Sequence, residues 1–234
     1  MNGDIGIRIP RRIIQTGKNF TLPLLNQACQ SNLRLLNPDY EYEYFDDAKV
    51  LDFFDTVASE YRAIFDSFKW PIQRYDFFRY VVIYCLGGFY FDLDVLLVRN
   101  LDCLLDRDCV FPFEELSLNW FLRHRCSMDW EVGNYAFGAT PKHPFIKAVI
   151  DNCIRAQKDR KWAEAMMQGI PRALRCQFYV PNTTGPGLVS RTLVENPFLQ
   201  DRVSILFPDD VCDERNGFST SVLDTNPGPV VLGT

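Results

Sequence analysis

Two aspartates, Asp92 and Asp94, stand one residue apart directly after the apolar run CLGGFYF of residues 85–91. If this run is a strand that continues through them, side-chain alternation places both carboxylates on one face. Like charges held so close beside apolar neighbours raise each other's pKa and destabilise the fold unless a cation or hydrogen-bond donors lie between them. Mg²⁺ or Mn²⁺ meets this requirement, because such hard cations bind one or two carboxylates together with substrate phosphates. The alternative is a strand-end turn in which both acids are solvated.

Two further charged side chains, Asp76 and Arg79, lie in an otherwise apolar stretch that is predicted to be a buried helix opening at Pro71. Their spacing of three places them on the same helix face. Charges point inward from an apolar helix only when they are paired or meet a ligand, so a structural ion pair is the alternative to a binding role. Gly87 and Gly88 are predicted to end the helix and to let the chain turn into the strand before the acid pair.

The elements that must position these residues alternate between strands and helices. Strands are predicted over residues 11–16, 42–45, 109–113 and 135–139, with an extended continuation over 95–98. Helices are predicted over residues 22–36, 48–68, 144–157, 160–168 and 187–195, and residues 114–132 are predicted to be irregular. This alternation is typical of a mostly parallel sheet with helices on both faces, in which ligands bind at the carboxyl ends of the strands.

Five segments of the sequence occur together in one known family. RYDFFRY at residues 74–80 precedes LGGFYFDLD at 86–94, and IPRRIIQT at 9–16, NYAFGATPKHP at 134–144 and TGPG at 184–187 flank them. In this order they resemble glycosyltransferase family 32, the Asp-x-Asp sugar transferases that include fungal initiating α-mannosyltransferases. The same core resembles the glucosyltransferase domains of large clostridial toxins. The resemblance spans about residues 9–190, and its central block is the most specific part.

The resemblance implies a single α/β domain of the GT-A type over residues 1–234. It also implies a metal-dependent transferase that moves a hexose from a UDP- or GDP-linked sugar to a glycan, glycoprotein or glycolipid. The donor would keep its anomeric configuration, with the leaving diphosphate as the base. The cofactor would be Mn²⁺ or Mg²⁺, because a developing diphosphate charge needs a Lewis acid and a chain of net charge −5 does not attract it by its overall field.

The same resemblance assigns roles to individual side chains. Asp94 would coordinate the metal between the two phosphates, and Asp92 would contact the ribose, or the metal through water. Asp76 and Arg79 would hold hydroxyls of the donor sugar. The remaining candidates are Tyr90 beside the nucleotide, Gln15 and Thr16 beside the base and ribose, and Asn134 on the donor-sugar or acceptor side.

The sequence departs from the family near its C-terminal end. Family members commonly carry a His and a Ser-Trp there that complete the metal and diphosphate site, whereas the last histidine here is His143 and the last tryptophan is Trp162. Either the part from about residue 205 is truncated, or water and another polar residue take over this role. Asp224 and Asn226 lie in a segment, DTNPGP, that is more simply predicted as a turn-rich loop.

Composition narrows the classes of function. An acidic chain without a concentrated basic patch is a poor candidate for binding nucleic acid, and two histidines give little material for a zinc site or a Ser-His-Asp hydrolase. The basic residues of 155–161 are predicted to be the solvated face of a helix. No apolar stretch is long enough for a transmembrane helix, so we expect a soluble or cytoplasmic protein, or a Golgi-lumenal domain of a longer anchored one.

Two alternatives to the transferase remain at this stage. The run FDLDVL also resembles the strand-end motif of haloacid-dehalogenase-type phosphatases, in which the first Asp is the nucleophile and Mg²⁺ joins both acids. Those enzymes place a Gly-Thr after the second Asp, where this chain has Val95 and Leu96, and they assign no role to Asp76 and Arg79. The other alternative is a domain that binds a nucleotide-sugar or a glycan without turnover.

Overall fold

A seven-stranded sheet forms the centre of the computed structural model, which describes residues 9–117 and 119–207. The strands are β1 (Arg12–Thr16), β2 (Glu41–Phe45), β3 (Gly88–Phe91), β4 (Cys109–Leu116), β5 (Trp130–Val132), β6 (Ala136–Ala139) and β7 (Ser204–Leu206). The α-helices are α1 (Leu24–Leu36), α2 (Asp47–Thr56), α3 (Arg62–Ser67), α4 (Pro71–Leu86), α5 (Trp120–Arg125), α6 (Pro144–Lys158), α7 (Arg160–Ala165), α8 (Arg175–Thr183) and α9 (Pro186–Glu195). Short 3₁₀ segments cover Ser59–Tyr61, Asp102–Leu104, Arg172–Leu174 and Pro197–Arg202. Asp224 and Asn226 lie outside the described residues.

The order of strands along the sheet is β2-β1-β3-β6-β4-β5, and β7 pairs with β4. β1 pairs in parallel with both β2 and β3, and β4 pairs in parallel with β7. β6 lies antiparallel between β3 and β4, and β5 is antiparallel to β4. In the described part of the chain, β5 and β6 therefore oppose the other strands, which all run in one direction, as the prediction of a mostly parallel sheet requires.

Neighbouring residues of β1 and β3 face opposite sides of the sheet, because side chains alternate along a strand. Ile14 and Tyr90 contribute to the larger hydrophobic core, which includes buried side chains of α2, α4, α6 and α9. Ile13 and Phe89 contribute to the second core, which they share with Leu33 of α1. Burial of apolar surface on both faces, the dominant favourable contribution to folding, thus fixes the position of β3 in the middle of the molecule.

The predicted unit of helix, double glycine and strand is confirmed. Helix α4 begins with Pro71 and ends where the N–H of Gly87 donates to the carbonyl of Ile83 at 2.8 Å. Gly87 and Gly88 have φ values of 68° and 103°, a region that side-chain-bearing residues rarely adopt. A Cβ atom on Gly87 would also lie 2.6 Å from a ring carbon of Pro141. This tight turn delivers the chain from the buried helix directly into β3.

The strand does not continue through the acid pair, so that prediction is wrong. β3 ends at Phe91, and the N–H of Val95 donates to the carbonyl of Asp92 at 3.3 Å, which closes a turn around Asp94. The N–H of Asp92 donates to the carbonyl of Tyr135 at 2.7 Å, directly after the last residue of β3. Aspartates favour such turns. The two carboxylates are therefore placed by a turn and not by alternation along one strand.

Several other stretches differ from the sequence prediction, which gave no element at α8 or β7. Residues 48–68 are divided among α2, the segment Ser59–Tyr61 and α3, and residues 114–132 contain the end of β4, then α5 and β5. The short elements within these two ranges were missed because they contain at most two helical turns or three strand residues, too few to produce a periodic pattern. In the described part of the chain, no helix is both long and apolar enough to cross a membrane.

Candidate active site

A cleft opens at the sheet edge where β1 and β3 end. These strands pair in parallel, with Ile14 opposite Tyr90, so Thr16, the last residue of β1, and Asp92, the first residue after β3, come to the same edge. The cleft has a volume of about 840 Å³, which lies in the range of about 300–1,000 Å³ that is typical of small-molecule sites. Ligands of open α/β sheets bind at this end of the strands.

Arg79 of α4 is the cation at the inner end of the cleft, and it is only 5% exposed. Its Nη1 lies 3.2 Å from the carboxylate of Asp92 and donates to the carbonyl of Asn134 at 2.9 Å. Its Nη2 lies 3.2 Å from Oδ1 of Asp76. The ion pair between Asp76 and Arg79 therefore forms, and the same guanidinium also binds the first acid of the pair that follows β3. The helix and the turn are locked together by one charged group.

Asp76 lies behind Arg79 and is itself buried. Its Oδ2 accepts a hydrogen bond from Oγ1 of Thr184 at 2.8 Å, and Nδ2 of Asn134 lies 3.4 Å from its Oδ1. Asn134 also donates to the hydroxyl of Tyr80 at 2.9 Å. Burial raises the pKa of Asp76, and the charge of Arg79 opposes this rise. Neither Asp76 nor Asn134 lines the cleft, so of the predicted pair only Arg79 reaches it.

Tyr90 stacks against Arg79, with the guanidinium 4.8 Å from the centre of its ring. Its hydroxyl donates to Oδ1 of Asp92 at 2.9 Å and lies 3.3 Å from Oγ1 of Thr16. Burial raises the pKa of Tyr90, so the phenol keeps its proton and acts as a donor to the carboxylate. Tyr90 and Thr16 both line the cleft, as their predicted place beside a nucleotide requires.

Gln15 supports the turn from the side of β1. Its side chain is fully buried, and Nε2 donates to the carbonyl of Asp92 at 3.1 Å. Its Oε1 accepts a hydrogen bond from the hydroxyl of Tyr42 at 2.9 Å, and that hydroxyl accepts one from Gln30 at 2.6 Å. Gln15 does not line the cleft. In this structure it positions the backbone of Asp92.

The two acids of the pair have different surroundings. Asp92 is 30% exposed and shares its charge with Arg79 and the Tyr90 hydroxyl. Asp94 is exposed on the lining of the cleft, and among the described residues its carboxylate has no hydrogen bond or ion pair. Within the same residues, no group of three or more His, Cys, Asp and Glu side chains could hold a metal ion. Two carboxylates facing an open cleft still fit Mg²⁺ or Mn²⁺, which usually bind proteins through one or two carboxylates plus phosphates and water.

Several residues of the cleft were not found from the sequence. Lys18 is exposed in the lining directly after β1, and Tyr75 donates to the carboxylate of Asp47 across the opposite wall. Gly17 passes so close to Tyr44 that a Cβ atom there would lie 2.1 Å from its hydroxyl oxygen. No spacing identifies these residues, because they come from separate elements that meet only in the folded chain. The sole signal was position, since Lys18 follows the predicted first strand.

Comparison with known proteins gives consistent matches. Residues 23–111 match the family model described as "Glycosyltransferase sugar-binding region containing DXD motif". The chain is 31% identical to inositol phosphoceramide mannosyltransferase 1 of Schizosaccharomyces pombe over 149 residues, 62% of this chain and 43% of that protein. It is 33% identical to mannosyl phosphorylinositol ceramide synthase SUR1 of Saccharomyces cerevisiae over 138 residues, 59% of this chain and 33% of that protein. The matches span 43% and 33% of the length of these two curated relatives.

A solved structure supports the fold. The ligand-free glycosyltransferase domain of the YGT toxin superposes with a TM-score of 0.59 over 85% of this chain and 80% of that domain, at 10% identity. At this identity the likeness concerns the fold alone, and it confirms the predicted GT-A-like α/β architecture. The family model covers the motif LGGFYFDLD and the helix before it, the same residues that build the inner end of the cleft. Residues 23–111 are therefore similar to the glycosyltransferase sugar-binding region that contains the DXD motif.

Proposed function

We propose that this chain is a metal-dependent, retaining glycosyltransferase that moves a hexose from a nucleoside-diphosphate sugar to a hydroxyl group of an acceptor. The observation that carries the proposal is the arrangement around Arg79. One buried guanidinium binds Asp92 from behind, while Asp94, two residues on, faces the cleft without a partner among the described residues. A rigid inner wall and an available carboxylate in a cleft of this size suit a charged ligand that brings its own phosphates.

Asp94 and Asp92 are the residues that would hold Mn²⁺ or Mg²⁺. Asp94 offers both of its oxygens, whereas the carboxylate of Asp92 already accepts from Arg79 and Tyr90. A direct role suits Asp94, and a contact through water or to the ribose suits Asp92. When bound, such a cation supplies Lewis-acid neutralisation of the charge that develops on the leaving diphosphate. Among the described residues, no third His, Cys, Asp or Glu lies close enough to join these two acids in one metal site, so the diphosphate and water would complete the coordination.

Arg79 is the proposed contact to the donor sugar or to its phosphate. Its Nε is buried and has no hydrogen-bond partner among the described residues, and the side chain lines the cleft. Asp76 and Asn134 act as positioning residues, because they hold Arg79 and one another from behind the wall. This assignment moves Asp76 from a direct contact with sugar hydroxyls to the support of Arg79.

The nucleotide is proposed to lie along the end of β1. Thr16 and Tyr90 line that part of the cleft, and their hydroxyls already contact each other. Gln15 supports the site through the backbone of Asp92 and does not itself reach the cleft. Lys18 is a further cation on this side, placed where a diphosphate would pass.

The chemistry needs no protein nucleophile. The bond between the anomeric carbon and the diphosphate oxygen breaks, and its electron pair leaves with the diphosphate. The acceptor oxygen bonds to the same carbon from the face that the diphosphate leaves, so the anomeric configuration is retained. The acceptor's proton passes to a diphosphate oxygen, which balances the reaction. The protein contributes orientation and fixed charges, which act more strongly in a site from which water is excluded.

The substrates are proposed by class. One named relative is an inositol phosphoceramide mannosyltransferase, and the other is a mannosyl phosphorylinositol ceramide synthase. A structure of the YGT toxin domain is UDP-bound. A mannose or another hexose carried by GDP or UDP is the proposed donor. A glycolipid is the preferred acceptor, before a glycan or a glycoprotein, because the relatives' names specify a lipid.

Calorimetric titration with UDP- and GDP-linked hexoses, with and without Mn²⁺, tests the proposal. We expect binding that requires the metal, followed by release of free nucleoside diphosphate when an acceptor is present. The same titration of Asp94→Asn should show metal-dependent binding that is weaker by on the order of a hundredfold. Asp39→Asn is the matched control, because Asp39 is an exposed acid in a turn away from the cleft.

Other outcomes have a definite meaning. Release of phosphate from a generic phosphomonoester, without binding of nucleotide-sugars, would show that the chain is a phosphatase and not a transferase. Tight binding of a nucleotide-sugar, with no transfer to any acceptor that is tried, would identify a binding domain. Metal-dependent turnover by Asp94→Asn at the wild-type rate would show that the role given to Asp94 is wrong.

A further inference from the structure

A second cleft, of about 740 Å³, lies on the other side of the first turn of α4. Residues 69, 70 and 73 line it, whereas residues 71, 72, 74 and 75 line the cleft that contains the acid pair. The second cleft is also formed by α7, the segment Arg172–Leu174 and α8. We call it the basic cleft. One turn of helix thus separates two concave surfaces, each large enough for a small ligand.

The charges that line the basic cleft are mostly positive. Its charged side chains are Lys69, Arg160, Arg172, Arg175 and Glu164. Four cations and one acid leave a net charge of plus three on a chain whose overall charge is −5. A concave surface lined by one sign of charge concentrates ligands of the opposite sign. The positive charge of this lining is therefore opposite in sign to the net charge of the whole chain, and a local anionic ligand would explain it.

The arginines lie close together and have few acidic partners. Arg160 pairs with Glu164 at 2.6 Å, and all three arginines act on the same carboxylate, since Arg160 first, then Arg175 and Arg172, lower the pKa of Glu164. Among the described residues, Lys69 and Arg172 form no ion pair with a carboxylate. The exposed Lys69 instead lies over the ring of Trp70, 4.8 Å from its centre. Cations in excess over acids suit an anionic ligand, and guanidinium groups fit phosphate in particular.

The basic cleft is joined to the candidate active site by direct contacts. Gln73, which lines the basic cleft, donates to Thr183 of α8 at 2.9 Å. The next residue, Thr184, donates to Asp76, which in turn holds Arg79. Gln73 and Asp76 are one helical turn apart on α4, about 4.5 Å along the axis. A molecule seated in the basic cleft would therefore lie beside the wall that holds the donor.

We propose that the basic cleft binds a phosphate group of the acceptor, while the acceptor's hydroxyl reaches the donor across the first turn of α4. This inference rests on the proposed transferase function. The recognised chemistry is a phosphate monoester or diester next to a polyhydroxylated ring, whether it belongs to a soluble molecule or to a lipid headgroup. Trp70, which is 44% exposed, provides an aromatic surface on which such a ring or the lipid behind it can pack.

The test compares two charge-neutralising double variants. Lys69→Gln with Arg172→Gln removes two of the three cations of the basic cleft that form no ion pair with a carboxylate in the described part of the chain. Lys158→Gln with Lys161→Gln removes the same charge from exposed positions that do not line the cleft. Each protein is titrated with inositol 1-phosphate, and separately with phosphatidylcholine vesicles with and without phosphatidylinositol. Nucleotide binding with Mn²⁺ and the thermal midpoint are measured in parallel.

We expect the first variant to bind inositol 1-phosphate or the phosphatidylinositol vesicles at least tenfold more weakly than the wild type. The control should change binding by less than about twofold, because surface charges act only weakly through solvent. If the first variant binds both inositol 1-phosphate and the vesicles more weakly, the recognised group is the phosphate itself. If it binds only the vesicles more weakly, the recognised group is a lipid headgroup. In a transfer assay, the first variant should raise the acceptor KM and leave the donor KM and kcat unchanged.

Equal binding by the wild type and the first variant, or no binding of either probe by the wild type, overturns the inference. Failure of the proposed function looks different, because then no nucleotide-sugar binds with Mn²⁺ even in the wild type, while phosphate binding still depends on Lys69 and Arg172. If the thermal midpoint falls in the first variant alone, its weaker binding could come from partial unfolding. Arg172→Lys then decides between the two causes, because it keeps the positive charge and should bind the phosphate probe.

Discussion

The inner wall and the outer rim of the active-site cleft differ in how their polar groups are satisfied. The inner wall, formed by Thr16, Arg79, Tyr90 and Asp92, is a connected set of hydrogen bonds and ion pairs supported from behind by Asp76, Asn134 and Gln15. The rim, represented by Lys18 and Asp94, is exposed, and within the described residues these two side chains have no such partners. The wall is thus organised by folding, whereas the rim keeps its charges available for a ligand.

This difference predicts that the two regions respond to mutation in different measurements. A buried charge that loses its partner cannot be solvated, so damage to the wall should appear as lost stability. An exposed charge stays solvated in the folded protein, so its removal should hardly change the stability. Substitutions in the rim should therefore weaken ligand binding without lowering the stability. The four predictions below test this separation, in order of decreasing expected effect.

Arg79→Ala should cause the largest loss of stability. The change leaves Asp76 buried without its cation, and it takes from Asp92 the only cation paired with it in the described part of the chain. We expect the free energy of unfolding to fall by about 3–5 kcal/mol, the usual cost of breaking a buried ion pair. Urea denaturation followed by circular dichroism measures it.

The control for this variant is Arg123→Ala, which removes an exposed arginine of α5. It should change the free energy of unfolding by no more than about 0.5 kcal/mol. If Arg79→Ala were as mild as this control, the wall would not be a buried electrostatic unit, and the distinction between wall and rim would disappear.

Asp94→Asn should weaken metal-dependent binding of a nucleotide-sugar by on the order of a hundredfold, because it halves the carboxylates available to the cation. It should leave the free energy of unfolding within about 0.5 kcal/mol of the wild type, since this carboxylate is exposed. Calorimetric titration with Mn²⁺ gives the first quantity and urea denaturation the second. A loss of stability as large as that of Arg79→Ala would place Asp94 in the wall.

Tyr90→Phe should have a smaller and mixed effect. It removes one hydroxyl that contacts Asp92 and Thr16 and keeps the buried ring under Arg79. We expect a loss of stability of about 1 kcal/mol, the net value of one hydrogen bond, together with weaker donor binding because Asp92 loses a donor that orients it. Tyr84→Phe is a suitable control, since Tyr84 lies at the far end of α4, away from the cleft. Unchanged donor binding would show that the Tyr90 hydroxyl serves the fold alone.

Removal of divalent metal should have the smallest effect on the protein without nucleotide. Because the wall is held by Arg79 and hydrogen bonds, EDTA should change the free energy of unfolding by less than about 0.5 kcal/mol, while it abolishes the stabilisation that a bound nucleotide-sugar provides. Thermal unfolding with and without EDTA, Mn²⁺ and nucleotide measures both effects. Strong stabilisation by Mn²⁺ alone would mean that the acids form a complete metal site without the diphosphate.

The local elements around the site followed from the sequence. Pro71, the apolar stretch after it and the two glycines predicted α4 and its end, because each residue acts on its own backbone conformation. The candidates Thr16, Arg79, Tyr90, Asp92 and Asp94 all line one cleft. The sequence left the turn at Asp92 as the alternative to a continued strand, because local residue types do not fix where β3 ends, and the backbone of Asp92 is held by Tyr135, a residue distant in sequence.

What the sequence determined by itself is the chemistry of the inner wall: the residue types, their spacing on α4 and after β3, and the family motif that they form. What only the tertiary structure decided is which of those groups face the cleft. Asp76, Asn134 and Gln15 point into a buried network. Arg160, on the exposed helix face that the sequence predicted, lines a second cleft together with Arg172 and Arg175. The reason is physical: propensity and periodicity act between neighbours along the chain, whereas burial and charge pairing depend on every element that packs against a side chain.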